Sequence, residues 1–168
     1  MVFKEISPYS LTENPFKMIG QDWMLLTAKN GDKINTMTAS WGGVGILWNK
    51  PVAFIFVRPT RYTYSFIEQS DYMSISILPE KYRNELNYCG KVSGRDEDKI
   101  QKCGFNVIKD ENAPYFEEAD TVFICKKHYG QMLDAESFID KDMNDKLYSD
   151  KNYHKLYVVE IEKVLKND

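Results

Sequence analysis

The sequence predicts a mainly β fold of the α+β class, in which a closed antiparallel barrel carries inserted helices. Stretches typical of short strands outnumber those with helical spacing. The two kinds also do not alternate strictly along the chain, as they would in a doubly wound parallel sheet. With 168 residues, the chain has the length of one domain, and we expect residues 1–168 to share a single core.

The first two predicted strands form a hairpin. An apolar run at 23–28 is followed by Asn30-Gly31, and a second run covers 34–38. Asn-Gly between two such runs is a strong hairpin signal, because both residues tolerate the positive φ of a type I′ turn. We therefore predict two antiparallel strands that turn at this pair.

A buried strand, a short helix and a half-buried strand follow. The apolar run of β-forming residues at 52–57 is typical of a strand buried on both faces. Residues 62–69 repeat at helical spacing after Pro59 and Thr60, which suit a helix start. Polar and apolar residues alternate over 72–78, which predicts a strand with one face in the core.

The second half of the chain begins with two predicted helices. One starts at Pro79 and is stopped by Gly90. The other covers 96–103, with Asp96 as its N-terminal cap and Gly104 as a left-handed C-terminal cap.

The last predicted strands cover residues 121–125 and 153–164. The segment between them, 134–150, is highly charged, and we expect it to form a loop or an irregular helix. No internal repeat interrupts this order.

A run of Arg and hydroxyl residues marks the junction between the buried strand and the short helix, Arg58-Pro59-Thr60-Arg61-Tyr62-Thr63. A helix N-terminus offers free N–H groups and the positive end of the helix dipole, and Arg presents a fork of donors that matches phosphate oxygens. The run therefore indicates a phosphate clamp made by Arg58, Arg61 and Thr63. A surface ion-pair cluster at the helix start is the alternative.

Two further segments accompany this one. They are Asn35-Thr36-Met37-Thr38-Ala39-Ser40-Trp41-Gly42-Gly43 and Cys89-Gly90-Lys91-Val92-Ser93-Gly94-Arg95-Asp96-Glu97-Asp98-Lys99. With the Arg-rich run, they follow the order N-x-M-T-x-S-W, R-P-x-R-Y-T and C-G-x-x-S-G-R-D-x-D-K of the flavin reductase-like family. The chain thus resembles the flavoredoxin-type proteins built on the FMN-binding split barrel, from Asn14-Pro15 to about Val164.

This resemblance implies a flavoprotein that holds FMN, with FAD less expected, at the boundary of a homodimer, and NAD(P)H as co-substrate. The segment at 35–43, the first of the three in chain order, would pass alongside the flavin ring. The Arg-rich run would hold the phosphate, and the third segment, at 89–99, would lie over the flavin. The cofactor-binding residues that it implies are Asn35, Thr36, Met37, Thr38, Ala39, Ser40, Trp41, Arg58, Arg61, Tyr62, Thr63, Cys89, Ser93, Gly94, Arg95 and Lys99.

For two side chains, Trp41 and His154, the sequence allows more than one role. Trp41 either walls the ring or fills the core. His154 lies in a stretch that partly resembles the D-H-x-x-x-x-G-E-V pattern of related reductases, whose His lies near the flavin and the nicotinamide entry, although Asn152, Tyr153 and Val159 depart from that pattern. His154 is therefore either a proton relay or part of a nicotinamide site, or a packed surface residue.

Composition excludes several other classes of function. A net charge of -3 and a pI near 5.5 argue against a nucleic-acid partner, and no apolar run approaches the roughly 20 residues of a membrane span. Three cysteines without CxxC spacing and a start without an apolar leader indicate reduced thiols and a cytoplasmic protein. No metal is expected, since Cys125 and His128 would point to opposite faces of a strand.

The leading functional interpretation is an NAD(P)H-dependent flavin reductase, in which nicotinamide passes a hydride to bound FMN while the protein orients and tunes the cofactor. The alternative is a flavoredoxin-type electron carrier that a redox protein partner reduces. A third, weaker interpretation replaces FMN by another phosphorylated ring compound.

Overall fold

The structure is a computed structural model and describes residues 2–167. Within that range strands make up most of the regular structure. The strands are β1 (Phe3–Ile6), β2 (Met24–Asn30), β3 (Lys33–Ala39), β4 (Gly42–Leu47), β5 (Lys50–Val57), β6 (Tyr72–Ile77), β7 (Val107–Ile108), β8 (Tyr115–Phe116), β9 (Thr121–Met132) and β10 (Lys155–Asn167). The α-helices are α1 (Pro15–Lys17), α2 (Tyr62–Gln69), α3 (Arg83–Lys91), α4 (Lys99–Cys103) and α5 (Lys141–Leu147).

One antiparallel sheet of eight strands dominates the fold. Its order is β3-β2-β6-β9-β10-β5-β4, and β7 pairs with β8 in a separate small sheet. The long strand β10 pairs with β9 along one edge, and with β5 and then β1 along the other. The prediction of a mainly β, antiparallel fold is confirmed, whereas closure of the barrel stays a prediction.

The core lies on both faces of the sheet. Leu25 and Leu26 are neighbours on β2 and both are fully buried, yet they belong to different apolar clusters. Leu26 packs in the cluster that contains Phe66 of α2, and Leu25 in the cluster that contains Leu86 of α3. Because successive side chains of a strand point to opposite faces, α2 and α3 are held on opposite sides of β2.

The first hairpin forms, but its turn is not the predicted one. Asn30 pairs with Lys33, so the two-residue loop is Gly31-Asp32, and φ is +57° at Gly31. The prediction of a type I′ turn centred on Asn30-Gly31 is therefore wrong. Positive φ at both central residues, as type I′ requires, occurs instead at Trp48-Asn49, with φ of 53° and 58°, in the β4–β5 hairpin.

Sequence reasoning missed β4 and β1. Strand β4 carries Gly42, Gly43 and Gly45, and glycine weakens a strand and leaves no apolar pattern to read. Strand β1 is only four residues long and gains its place by pairing with the end of β10, a contact between the two ends of the chain. Strands β9 and β10 also extend beyond their predicted C-terminal ends.

The helix predicted at 62–69 is confirmed, while two helix boundaries are wrong. α3 continues through Gly90 to Lys91, and α4 begins at Lys99. The N-cap of α4 is Asp98, whose carboxylate accepts from the Gln101 N–H at 3.0 Å, so Asp96 is not the cap. Gly104 adopts φ +68° and ends α4 as predicted.

The charged segment at 134–150 forms the short helix α5 flanked by turns, in agreement with its prediction as a loop or irregular helix. Between residues 2 and 167, none of the helices is both long and apolar enough to cross a bilayer.

Candidate functional site

The three sequence segments converge because β3 lies between two helical layers. Strand β3 is in contact with α2 and also with α3 and α4. The Asn35 side chain on β3 donates to the Thr63 hydroxyl of α2 at 2.8 Å. The Thr38 hydroxyl on the same strand donates to the Leu86 carbonyl of α3 at 2.6 Å. Side chains of β3 thereby fix both helices at one end of the sheet.

A cavity of about 310 Å³ opens where β3 ends and β5 delivers the Arg-rich run. We call it the ring cavity. It brings together most of the first segment, both predicted arginines and the candidate histidine. Its lining residues are Met37, Thr38, Ala39, Ser40, Trp41, Phe56, Arg58, Arg61 and His154.

A smaller pocket of about 150 Å³ lies at the N-terminus of α2. We call it the anion pocket. It unites the Arg-rich run with the third segment, and Arg61 lines both this pocket and the ring cavity. Its lining residues are Thr60, Arg61, Tyr62, Thr63, Lys91, Val92, Ser93, Gly94 and Lys99.

Arg61 and Lys99 place two cationic groups on one acceptor in the anion pocket. The guanidinium donates to the Gly90 carbonyl at 2.8 Å and to the Cys89 carbonyl at 3.4 Å, while the Lys99 ammonium donates to the same Cys89 carbonyl at 3.0 Å. Lys99 is 3% exposed, and no ion pair with a carboxylate involves either residue in the described part of the chain.

Burial weakens the charged forms of both groups. The pKa of Lys99 is lowered to about 8, mainly by burial and also by the nearby Arg61 charge, although Cys89 and Cys103 oppose the shift. Burial also lowers the pKa of Arg61. Two desolvated cations without a carboxylate form a site that an anion would stabilise.

Arg58 faces the ring cavity but is also tied to the C-terminal loop. Its guanidinium lies 3.4 Å from the Asp150 carboxylate, donates to the Leu147 carbonyl at 3.3 Å and lies over the Tyr148 ring. Asp150 is 58% exposed at its side chain, so Arg58 makes a surface ion pair, the kind of contact that is the alternative to a phosphate clamp. Arg58 lines the ring cavity and not the anion pocket.

His154 is held by aromatic neighbours at the mouth of the ring cavity. Its Nδ1 is 2.8 Å from the Tyr148 hydroxyl, and its ring centroid is 5.0 Å from that of Trp41. Burial and then the Arg58 charge lower the pKa of His154 to about 4. The imidazole is therefore neutral at pH 7, because this pKa lies well below the unperturbed value of about 6.5.

Trp41 is 44% exposed and lines the ring cavity, so it does not fill the core, while its contact with a flavin ring stays a prediction. Arg95 lies with its guanidinium 4.8 Å from the Tyr62 ring centroid and donates to the Thr60 carbonyl at 3.3 Å. These contacts fasten the third segment onto the Arg-rich run.

Four predicted positions line neither the ring cavity nor the anion pocket, namely Asn35, Thr36, Cys89 and Arg95. The Asn35 side chain borders a third, more open groove of about 750 Å³ with Arg95 and Lys99. Thr36 is fully buried, and its hydroxyl is within 3.2 Å of the Leu26 carbonyl and 2.9 Å from the Thr27 hydroxyl. The Cys89 side chain is fully buried, and its backbone carbonyl is the group that meets the cations.

Sequence reasoning missed Phe56, Tyr148 and Lys91. Phe56 lies on β5, and Arg58 follows directly after the end of that strand. Because alternate residues of a strand share a face, this spacing of two could have identified Phe56 as a neighbour of Arg58. Tyr148 meets His154 only through the fold of the 134–150 segment, which carries no regular pattern.

In the range 2–167, no group of three or more His, Cys, Asp or Glu side chains is arranged to hold a metal.

Comparison with known proteins points to one family. The family model described as "Flavin reductase like domain" matches residues 17–168. An uncharacterized protein of Aeropyrum pernix is 27% identical over 99 residues, which cover 57% of this chain but only 37% of that relative. The chain thus spans well under half the length of this curated relative.

Solved structures show the same fold. The flavoredoxin from Methanosarcina acetivorans superposes with a TM-score of 0.68 at 23% identity, covering 88% of this chain and 69% of that one. The FMN-binding protein from Thermus thermophilus, solved with bound p-hydroxybenzaldehyde, gives a TM-score of 0.69 at 18% identity and covers 97% of this chain and 78% of that one. At these identities the likeness concerns the fold.

Proposed function

The chain belongs to the flavin reductase-like family, and from that membership we propose that it binds FMN across the ring cavity and the anion pocket and uses it for redox chemistry. The observation that carries this proposal is the pair Arg61 and Lys99, two desolvated cations that share one carbonyl and have no carboxylate partner among the described residues. A phosphate dianion supplies the charge that this pair lacks.

The donor set of the anion pocket fits a phosphate monoester. Arg61 offers its guanidinium fork, and Lys99 offers an ammonium. The pocket lies at the start of α2, where the N–H groups of Tyr62 and Thr63 have no acceptor within the helix. The Ser93 hydroxyl is a further donor on the pocket wall. The N-terminal end of the α2 dipole also favours a negatively charged ligand.

The ring cavity fits a flat heteroaromatic ring. Residues 37–40 would lie along the ring, with the small side chains of Ala39 and Ser40 letting backbone groups approach its polar edge. Trp41 offers an exposed aromatic face, and Phe56 adds apolar surface to the wall. Arg61 borders both spaces, which supports the proposal that one ligand would place its ring in the ring cavity and its phosphate in the anion pocket.

FMN, when bound, supplies the two-electron redox chemistry. We propose NAD(P)H as the reductant, so the activity would be that of an NAD(P)H-dependent flavin reductase. His154 would contribute a neutral imidazole at the cavity mouth, oriented by its hydrogen bond with Tyr148. Arg58, beside it on the cavity wall, would attract the negative charges of a nicotinamide nucleotide.

An electron carrier of the flavoredoxin type is the second candidate. It is favoured by the fold shared with the flavoredoxin from Methanosarcina acetivorans. In that case a redox protein partner would reduce the bound flavin, and NAD(P)H would not be turned over. The two candidates share the FMN site and differ in the electron donor.

Two measurements test these proposals. Purified protein titrated with FMN should bind it, with retained flavin absorption near ~450 nm after gel filtration. A colourless protein that takes up no added FMN would contradict both candidates and favour a different phosphorylated ring compound. Steady-state oxidation of NADH and NADPH with free FMN as acceptor then separates them, since a rate equal to the protein-free blank leaves only the carrier.

We also propose that the chain is one domain, acts as a homodimer and works in the cytoplasm. Exposed apolar side chains on and beside the edge strand β4 support a subunit contact, since Phe16 is 86%, Ile46 59% and Trp48 52% exposed. Free thiols support a reducing compartment. Light scattering should give about twice the chain mass of 19.6 kDa; a monomer that holds FMN would contradict the dimer.

A further inference from the structure

Two thiols lie side by side behind the anion pocket. The Sγ atoms of Cys89 on α3 and Cys103 on α4 are 3.7 Å apart, and both cysteines are free. Cys89 is fully buried, whereas Cys103 is partly exposed at the end of α4. The third cysteine, Cys125, is buried in β9.

One face of α4 carries both a cysteine of this thiol pair and a cation of the anion pocket. Lys99 and Cys103 are four residues apart on α4, so they lie on one side of the helix. Both contact Cys89, Lys99 through the Cys89 carbonyl at 3.0 Å and Cys103 through the Cys89 sulfur. A change in the sulfur–sulfur contact is therefore transmitted to Lys99 through one turn of helix.

We propose that Cys89 and Cys103 form a reversible intramolecular disulfide, which ties α4 to α3 and strengthens ligand binding in the anion pocket. The disulfide itself is independent of the proposed function. Its effect on FMN affinity, the second half of the proposal, rests on the proposed function.

The chemistry requires a two-electron oxidant, for which we name a hydroperoxide. The partly exposed Cys103 attacks the outer peroxide oxygen as a thiolate and becomes a sulfenic acid, and the leaving alkoxide or hydroxide takes up a proton. The Cys89 sulfur, also after losing its proton, then displaces hydroxide from the Cys103 sulfur and forms the S–S bond. In sum, two thiols and one hydroperoxide give one disulfide, one alcohol or water, and one water.

The surroundings make this reaction slow at neutral pH. Burial raises the pKa of Cys103 and raises the pKa of Cys89 to about 12. Glu85 opposes the thiolate form of both cysteines. Since the thiolate is the attacking form, we expect crosslinking to accelerate as the pH rises.

The disulfide requires only a local movement. The two sulfurs must approach from 3.7 Å to about 2.05 Å. Helix α4 has only five residues and ends at Gly104 in the left-handed conformation, so the approach requires a shift of this one short helix against α3. The bond would close a loop that contains Ser93, Gly94 and Lys99. Fixing both ends of that loop removes conformational freedom that FMN otherwise has to remove on binding.

Peptide mapping tests the disulfide. Protein treated with a small excess of hydrogen peroxide is denatured, alkylated, digested and analysed by mass spectrometry. We expect a linked peptide pair that contains Cys89 and Cys103, alkylated Cys125, and loss of the link on adding dithiothreitol. Overoxidised Cys103 beside alkylated Cys89, a link to Cys125, or a link between two chains would each overturn the proposal.

FMN titration of the reduced and crosslinked forms tests the coupling. We expect the dissociation constant to fall by about threefold or more on crosslinking. Cys103→Ser should bind FMN like the reduced wild type and show no change with peroxide, and Cys103→Ala provides a second variant should the first be unstable. An equal or larger dissociation constant in the crosslinked form would overturn the coupling. Failure of both forms to bind FMN would overturn the proposed function and the coupling, while the peptide map decides the disulfide.

Discussion

Asn35 and Gly94 pack so closely that a β-carbon on Gly94 would lie 2.1 Å from the Asn35 side-chain oxygen and 3.0 Å from the Tyr62 ring. Asn35 is 6% exposed, and its amide donates to the Thr63 hydroxyl at 2.8 Å. One buried side chain on β3 therefore touches both the first turn of α2 and the loop after α3. This is how three segments distant in sequence come to form one site.

We predict that Gly94→Ala weakens FMN binding. The new methyl group requires Asn35 to move, and Asn35 cannot rotate away without losing its bond to Thr63. The strain should cost about 1–3 kcal/mol, shared between stability and binding. Thermal unfolding and FMN titration measure the two effects.

Gly20→Ala is the matched control, because a β-carbon there meets no atom within 4 Å and φ is not in the left-handed region. It should leave FMN affinity unchanged. A Gly94→Ala protein with wild-type affinity and melting temperature would show that the loop yields without cost, contrary to the packing of Asn35.

Arg61→Ala should weaken FMN binding by about 1.5–3 kcal/mol if the guanidinium makes a charge-assisted contact with the phosphate. The substitution also frees the Gly90 carbonyl, which Arg61 now binds at 2.8 Å. Riboflavin, which lacks the phosphate, separates the two effects. Its affinity should fall much less than that of FMN.

Arg83→Ala controls for the removal of a guanidinium elsewhere. Arg83 donates to the Gln21 carbonyl at 2.6 Å and lies over the Trp23 ring, and it lines neither the ring cavity nor the anion pocket. Its loss should spare FMN affinity. Equal losses in both variants would remove Arg61 from the phosphate site.

The sequence predicts which residues meet better than it predicts the path of the chain. Arg61, Thr63 and Ser93 reach one pocket, as their motifs indicate, while their role as flavin ligands stays a prediction. The glycine-rich strand β4 escaped prediction, because its place is set by pairing with β5.

The environment of each charge also could not be read from the sequence. The sequence groups Arg58 with Arg61, yet the fold gives Arg58 an acidic partner in the loop before β10 and gives Arg61 none in the described residues. The sequence predicts Lys99 as a cofactor-binding residue, but its near-complete burial follows only from the packing of α4 against α3 and β3. The motifs identify which residues are candidates for the site. Tertiary contacts decide which of those residues have an oppositely charged partner.

His154 should make the folded protein lose stability on mild acidification. Its pKa is about 4 in the folded state and about 6.5 when unfolded. Between these values the unfolded chain binds more protons, so the free energy of unfolding falls as the pH drops through this window and is fully retained above it. Urea unfolding of the wild type and of His154→Gln at about pH 7 and about pH 5 measures the difference.

The carboxylates contribute to acid sensitivity in both proteins, so the difference between them isolates His154. The loss on acidification should be smaller in His154→Gln. His128→Gln, which removes the only other histidine and its contact with Glu160 at 2.6 Å, should retain the His154 contribution. Parallel losses in wild type and His154→Gln would show that the imidazole is not desolvated in the folded state.

Lys99 should give FMN binding a pH dependence. Its pKa in the ligand-free protein is about 8, and a phosphate dianion beside it would favour the ammonium form. FMN should therefore bind with proton uptake near that pH, and its affinity should fall as the pH rises through about 8. The ligand phosphate is already a dianion above its second pKa of about 6, so its own titration does not produce this decline. Isothermal titration in buffers of different ionisation enthalpy reports the protons directly.

Lys99→Met removes the titrating group and should bind FMN more weakly, with no decline in affinity between about pH 7 and about pH 9. Lys102→Met is the matched control on the same helix, since the Lys102 side chain is 66% exposed and its ammonium lies 3.7 Å from the Glu97 carboxylate. It should retain the wild-type profile. A wild-type affinity that stays constant across this range, or a decline that persists in Lys99→Met, would mean that Lys99 does not face the phosphate, and the anion pocket would then rest on Arg61 and the start of α2 alone.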